Sequence, residues 1–146
     1  MRELPRKLTV DELSDLFEGR TRLVELLAEI DDPLEHANGV IDTLSEEDKI
    51  EALAAHPAIG QRTGLSTRSA AEQGEDVDPC LLVDLATLNA TYERKFGFRF
   101  VVFVNRRPKS EIADVLRSRL EHSREEELET AVRELVAIAR DRWEHP

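Results

Sequence analysis

Apolar residues recur at three- and four-residue spacing along most of this chain, and the interruptions fall at prolines and glycines. Leu13, Leu16 and Phe17 follow Thr9 and Asp11, residue types whose side-chain oxygens cap helix N-termini. Residues 20–30 continue the pattern, with Leu23, Leu26, Leu27 and Ile30 on one face. Asp32 then reads as a cap and Pro33 as a first helical residue, because proline lacks an N–H that would have no partner there. Ala37, Val40, Ile41 and Leu44 mark the next helix. Ser45 caps another, with Glu46, Glu47 and Asp48 at its positive end. That helix runs through Ile50, Leu53 and Ala54 and stops at His56-Pro57, since a residue before proline is pushed out of the α region.

Residues 58–78 are the least regular stretch, holding Gly60, Gly64, Gly74 and a run of small polar residues. Asp78-Pro79 restarts a helix whose buried face is Leu81, Leu82, Leu85, Leu88 and Tyr92. It should end at Gly97, the usual left-handed residue after a C-terminus. Phe98-Arg99-Phe100-Val101-Val102-Phe103-Val104 has strand propensity, yet no second segment resembles it. A lone strand leaves its backbone groups without partners, so the expectation is a buried extended segment between helices. A helix over residues 110–120 follows, with Ile112, Val115, Leu116 and Leu120 inward. Ser123-Arg124-Glu125-Glu126 fits a capping box and opens a long helix through Leu128, Val132, Leu135, Val136, Ala139 and Trp143. The pattern predicts an all-α fold: one domain across residues 1–146, a bundle of six to eight helices with one buried extended segment.

Composition narrows the partners. With 40% hydrophobic residues the chain can build a core without staples, and with five Phe, one Tyr and one Trp that core must be mainly aliphatic. A net charge of −11 repels nucleic acid and anionic membranes, and the short cluster Arg106-Arg107-Pro108-Lys109 does not reverse that. Cys80 is the single cysteine, which excludes an intrachain disulfide and fits a reducing compartment; its place beside Leu81 and Leu82 suggests burial. No apolar run approaches the roughly 20 residues needed to cross a bilayer. Neither a signal peptide nor a peroxisomal address is visible, so a cytoplasmic location is expected.

Four features break the helical pattern: His56-Pro57, the loop around residues 66–73, the apolar extended segment, and Arg142 on the final helix. Each has a plain structural reading. His56 can end a helix, where an imidazolium satisfies carbonyls, or act as an acid or base near neutral pH. Ser69-Ala70-Ala71-Glu72 can be a capping box, though Gln73-Gly74-Glu75-Asp76 follows it where an apolar run is expected. Arg142, like Arg133 and Arg140, can be a solvated charge at a helix C-terminus. His36, His56, His122 and His145 have no HxH or HxxxH spacing, so no metal is expected, and no phosphate loop or nucleophile elbow is present.

Taken together the motifs are more specific than any one. His56-Pro57-Ala58-Ile59-Gly60 is similar to the HPxxG motif of the decarboxylases of 2-oxo-4-hydroxy-4-carboxy-5-ureidoimidazoline (OHCU). Ser69, Glu72 and Gln73 resemble that family's SxxEQ. Residues 88–101, from Leu88-Asn89 through Tyr92, Lys95-Phe96-Gly97-Phe98 and Phe100-Val101, resemble its LNxxYxxKFGFPFV, and Ile138-Ala139 with Arg142-Trp143 resembles its IAxxRL. All four stand in the family's order. The departures are Arg99 where the family usually has proline, Gln61 after the HPxxG motif, and Glu18-Gly19-Arg20-Thr21-Arg22 near the place of a common Ser-Pro-Trp stretch.

The resemblance implies an all-helical, usually homodimeric carboxy-lyase of urate breakdown that forms allantoin with no cofactor or metal. It implies that His56 and Glu72 are catalytic. Pro57, Ser69, Gln73 and Arg142 would line the substrate pocket, and Phe100, Val101, Val102, Phe103 and Val104 would offer it backbone groups. Leu65, Phe98 and Phe100 are expected to form an apolar rim. The division of acid and base roles between His56 and Glu72 is open. Two alternatives remain: a relative acting on another small ureido or imidazole acid, and a helical binding module without activity.

Overall fold

The structure, a computed structural model, describes residues 7–57 and 79–145. These hold seven helices and no strand: α1 (Val10–Phe17), α2 (Arg22–Leu27), α3 (Pro33–Thr43), α4 (Glu46–Ala54), α5 (Pro79–Phe96), α6 (Lys109–Arg119) and α7 (Arg124–Glu144). An all-α fold is therefore what the periodicity produces.

Local chemistry sets most boundaries. Thr9 and Glu12 form a reciprocal capping box at α1, and Ser123 and Glu126 form another at α7. Ser45 Oγ accepts from Asp48 N–H at 3.1 Å and opens α4. Each such cap is worth about 1 kcal/mol. Asp32 behaves differently from expectation. Its backbone is left-handed (φ 49°), which turns the carboxylate away from the helix, and no side-chain cap forms. Its carbonyl instead accepts from His36 Nδ1 at 3.1 Å. At the other end of the prediction, α5 stops at Phe96, and Gly97 takes the left-handed φ of 81° that a side chain resists.

The long helix α7 organises the packing, touching α1, α3, α4 and α5. Ala131, Val132, Leu135, Val136 and Ala139 are all at most 1% exposed along it. They meet Leu13 of α1, Ile41 of α3 and Leu53 of α4 in one continuous core. A Leu→Ala change at such positions costs about 2–5 kcal/mol. Cys80 departs from the expectation of burial: it is exposed on the first turn of α5, as is Val83, while the buried face of that helix begins at Leu85.

Residues 98–104 run extended between α5 and α6 and are mostly buried. Phe98 and Phe100 alternate inward and join Tyr92 and Phe96 in an aromatic cluster, with ring centroids 4.6–6.0 Å apart. Without a neighbouring strand the segment's carbonyls need side-chain donors. Arg119 Nη1 donates to Val101 O at 2.8 Å, and Arg107 donates to Phe103 O at 2.7 Å and Val104 O at 3.1 Å. Arg119 is itself held by Glu127, a fully buried carboxylate that also accepts from Tyr92 Oη at 2.6 Å and contacts His122 Nδ1 at 2.7 Å. Burial, followed by that bond to Glu127, raises the Tyr92 hydroxyl above its ordinary pKa and keeps it a donor.

Candidate active site

The site grows from the C-terminal end of α1. A helix C-terminus presents carbonyls with no partner inside the helix and carries partial negative charge. Here Asp15 O and Leu16 O each accept from Arg142 Nη1 at 3.2 Å. The Phe17 backbone also lies beside the His56 ring. Two side chains remote in sequence thus meet at one helix end.

The chain arranges this meeting by bringing two helix ends close. Gly19 lies directly after α1, and a Cβ built there would stand 3.4 Å from Ala55 Cβ, in contact with the end of α4. Glu18 takes a left-handed backbone (φ 67°), which swings its carboxylate onto Arg142 Nη1 at 2.8 Å. Arg22 N–H donates to Glu51 Oε1 at 2.7 Å and ties the start of α2 to α4.

His56 is 5% exposed, and its Nε2 is buried without a hydrogen-bond partner. Burial and then the Arg142 guanidinium lower the imidazole to about pKa 4, with Glu18 opposing and Arg99 adding to the fall. At neutral pH the ring is uncharged. The helix-ending imidazolium reading of His56 therefore does not hold.

Arg142 is 2% exposed and turned inward, so it is no solvated helix-end charge. The other two arginines separate cleanly from it. Arg140 donates to Leu34 O at 2.8 and 3.2 Å and binds α7 to α3, whereas Arg133 pairs at the surface with Glu129 and with Asp42. Pro57 follows His56 at the edge of the described residues. Ser69, Glu72, Gln73 and Leu65 lie outside them. The structure thus brings His56 and Arg142 together. Phe98 and Phe100, expected on an apolar rim, are enclosed in the aromatic cluster at 4% and 1% exposure, because alternation along the extended segment directs both into the core.

Two residues absent from the sequence-derived site take part in it. Glu18 matched no motif; its marks were its place at the end of an apolar helical face, ahead of Gly19, and its lying in the stretch that departs from the family's Ser-Pro-Trp. Arg99 was visible as a departure from proline, and its contacts are in the end of α4: Nη1 donates to Ala54 O at 3.3 Å and to His56 O. Among the described residues no group of His, Cys, Asp or Glu is placed to hold a metal ion, and no helix is long and apolar enough to cross a membrane.

The chain is similar to known proteins over nearly its whole length. Residues 2–144 match the family model described as OHCU decarboxylase. The chain is 31% identical to a 2-oxo-4-hydroxy-4-carboxy-5-ureidoimidazoline decarboxylase of Halalkalicoccus jeotgali, over 92% of this chain and 82% of that protein. It is 30% identical to a decarboxylase of the same description from Haloferax volcanii, over 89% of this chain and 83% of that one. A uric acid degradation bifunctional protein of Bacillus subtilis is 26% identical across 97% of this chain, which corresponds to 31% of that larger protein. A crystal structure of OHCU decarboxylase in the presence of (S)-allantoin shares the fold, with a TM-score of 0.74 and 24% identity over 90% of this chain and 94% of that one. With the family model spanning nearly all of the sequence, this chain belongs to the OHCU decarboxylase family.

Proposed function

We propose that this chain decarboxylates OHCU to (S)-allantoin in urate breakdown, without a cofactor. The observation that carries the proposal is the buried His56 imidazole, with Nε2 unpartnered, beside the Arg142–Glu18 pair. A helical bundle has no structural use for a buried ring nitrogen left without a partner, which costs about 1–3 kcal/mol.

The substrate carries a hydroxyl and a carboxylate on one ring carbon, next to a conjugated C=N bond. When the carbon–carboxylate bond breaks, CO₂ leaves and the electron pair forms a C=C bond while the C=N nitrogen takes a proton. The product of that step is an enol. Loss of the hydroxyl proton and addition of a proton to the ureido-bearing carbon give allantoin. The ring is its own electron sink, so the protein supplies only orientation and proton transfer.

An acceptor nitrogen repels a carboxylate, so His56 Nε2 faces the hydroxyl and takes its proton. Glu72 binds the ureido group and delivers the proton to one face of the ring carbon. The Arg142 guanidinium, fixed by Glu18 and by the carbonyls of Asp15 and Leu16, lines the substrate pocket. Residues 100–104 contribute mainly N–H groups, because the carbonyls of Val101, Phe103 and Val104 already accept from arginines. Pro57, Ser69 and Gln73 complete the pocket. The working form is a cytoplasmic homodimer built from one domain per chain.

A coupled assay tests this. Urate oxidase and hydroxyisourate hydrolase generate OHCU, and circular dichroism follows the chirality of the allantoin formed. Addition of this protein should accelerate formation of the S enantiomer. His56→Asn and Glu72→Ala should each lower kcat/KM by about 10²–10⁴, the range for a positioned acid or base. Racemic product at the uncatalysed rate would sink the proposal in favour of the binding-module alternative, and turnover of a different ureido acid would redirect it.

A further inference from the structure

The end of α4 is where the reactive imidazole is mounted, and it is poorly anchored by its own chain. The His56 N–H reaches Leu53 O at 3.2 Å in a tightened last turn. Beyond it Pro57 has no N–H to give. The carbonyls of Ala54 and His56 are orphaned by the helix ending and need donors from elsewhere.

Arg99 supplies them. It lies in the extended segment between Phe98 and Phe100, both anchored in the aromatic cluster, so its Cα is fixed on either side. Alternation turns the Arg99 side chain away from that cluster and toward α4. Its Nη1 donates to Ala54 O and His56 O, and its Nε meets Glu93 Oε1 at 3.4 Å. The Glu93 contact is weak, since both side chains are about a third or more exposed. The two carbonyl bonds are the specific ones. They grip the backbone on both sides of Ala55 and so fix where His56 projects. A planar, always-charged guanidinium suits the task, because one nitrogen carries two protons held in the plane of the fork.

We propose that Arg99 is a positioning residue for His56, bridging the Ala54 and His56 carbonyls so that the imidazole is held between the end of α1 and the substrate. The proposal rests on His56 being the acid/base of the decarboxylation. It assigns a purpose to the one motif position at which this chain departs from the family's proline: a backbone constraint is replaced by a clamp from a side chain. Arg99 does not touch the substrate. The charged groups facing His56 among the described residues are Arg142 from α7, Glu18 from the end of α1, and Arg99 itself.

The test uses Arg99→Lys and Arg99→Met in the full chain. Lysine retains the charge, but its ammonium stands one bond short of Nη1 and reaches the two carbonyls less well; methionine keeps the stem and loses charge and donors. In the coupled assay both variants should lose about tenfold in kcat, the size expected when a general base is held less well, with KM within about twofold of wild type. NMR of the free protein provides a readout independent of turnover. The wild-type His56 ring N–H, buried beside the end of α1, should give a slowly exchanging signal that both variants lose or broaden. The His56 titration midpoint should rise in the methionine variant, which lacks a nearby cation, and stay near wild type in the lysine variant. Unchanged kcat with a lower Tm would show a merely structural role and overturn the proposal, as would a raised KM at constant kcat. If wild type proves inactive on OHCU, the activity reading falls, yet the ring N–H signal still decides the clamp: persistence of that signal in both variants overturns it. Arg99→Lys keeps the comparison available if the methionine variant does not fold.

Discussion

Removing the Glu18 carboxylate should destabilise the protein in a way that separates its two contributions. Glu18 pairs with Arg142 at 2.8 Å, with the two side chains 12% and 2% exposed. Breaking a buried ion pair costs up to about 3–5 kcal/mol. Arg142 keeps two carbonyl acceptors, Asp15 O and Leu16 O, so Glu18→Ala belongs at the low end, about 3 kcal/mol. Glu18 also holds a φ of 67°, where a Cβ is strained and glycine is not. Glu18→Gly therefore regains about 1 kcal/mol, for a net loss of about 2 kcal/mol. For 146 residues, an unfolding entropy of about 2.1 cal/mol/K per residue makes 1 kcal/mol worth about 3 °C. Thermal unfolding followed by circular dichroism at pH 7 should then place the alanine variant about 10 °C below wild type and the glycine variant about 6 °C below. An alanine variant melting with wild type would refute the buried pair as a stabilising contact. A glycine variant no better than alanine would refute the backbone strain.

Three further outcomes follow from the same geometry. The His56 imidazole is lowered from 6.5 to about 4, so the folded state binds fewer protons than the unfolded one between those values. Stability contributed by neutral His56 is complete above pH 6.5 and is lost as pH falls toward 4, by about 3 kcal/mol in all; urea unfolding of His56→Asn should show a correspondingly flatter loss over that window, and an identical pH slope in both proteins would contradict the burial. Tyr92→Phe removes the 2.6 Å bond to buried Glu127 and should cost about 1.5–3 kcal/mol by urea denaturation, the range for hydrogen bonds to charged groups, whereas a neutral effect would mean that Arg119 and His122 satisfy Glu127 unaided. Decarboxylation should survive exhaustive EDTA treatment with no divalent ion restored; activity recovered only by adding back a metal would overturn the cofactor-free chemistry.

Much of this fold is legible in the sequence because its elements are closed by local chemistry. Thr9, Ser45 and Ser123 act within three residues of themselves, and Gly97 needs only its own missing side chain. Asp32 misleads for a reason of the same kind: its residue type favours a cap, but its left-handed backbone removes the geometry a cap requires. Cys80 misleads because neighbours in sequence on a helix face different directions, so the leucines beside it say little about its exposure. His56 and Arg142 are recoverable from motif order. That the imidazole is neutral is not, since it depends on burial and on a guanidinium 86 positions away. Glu18 and Arg99 were missed as site residues for one shared cause. Their work consists of contacts to backbone carbonyls and to a side chain across the fold, and backbone carbonyls leave no trace in a pattern of residue types.

The bond from Arg142 Nη1 to Leu16 O joins residues 126 positions apart, and this span bears on when during folding the protein becomes active. Closing a loop of that length is entropically costly and must precede any reward from the contact. The apolar face of α1 and its unfilled carbonyls therefore wait for α7, while α5, α6 and the aromatic cluster assemble over far shorter distances. A chain still emerging in synthesis order would hold Leu13, Leu16 and Phe17 uncovered for most of its translation, a natural substrate for a holding chaperone. A partly folded form would lack the candidate site, because Arg142 and the end of α1 meet only when the two ends of the fold have closed on each other.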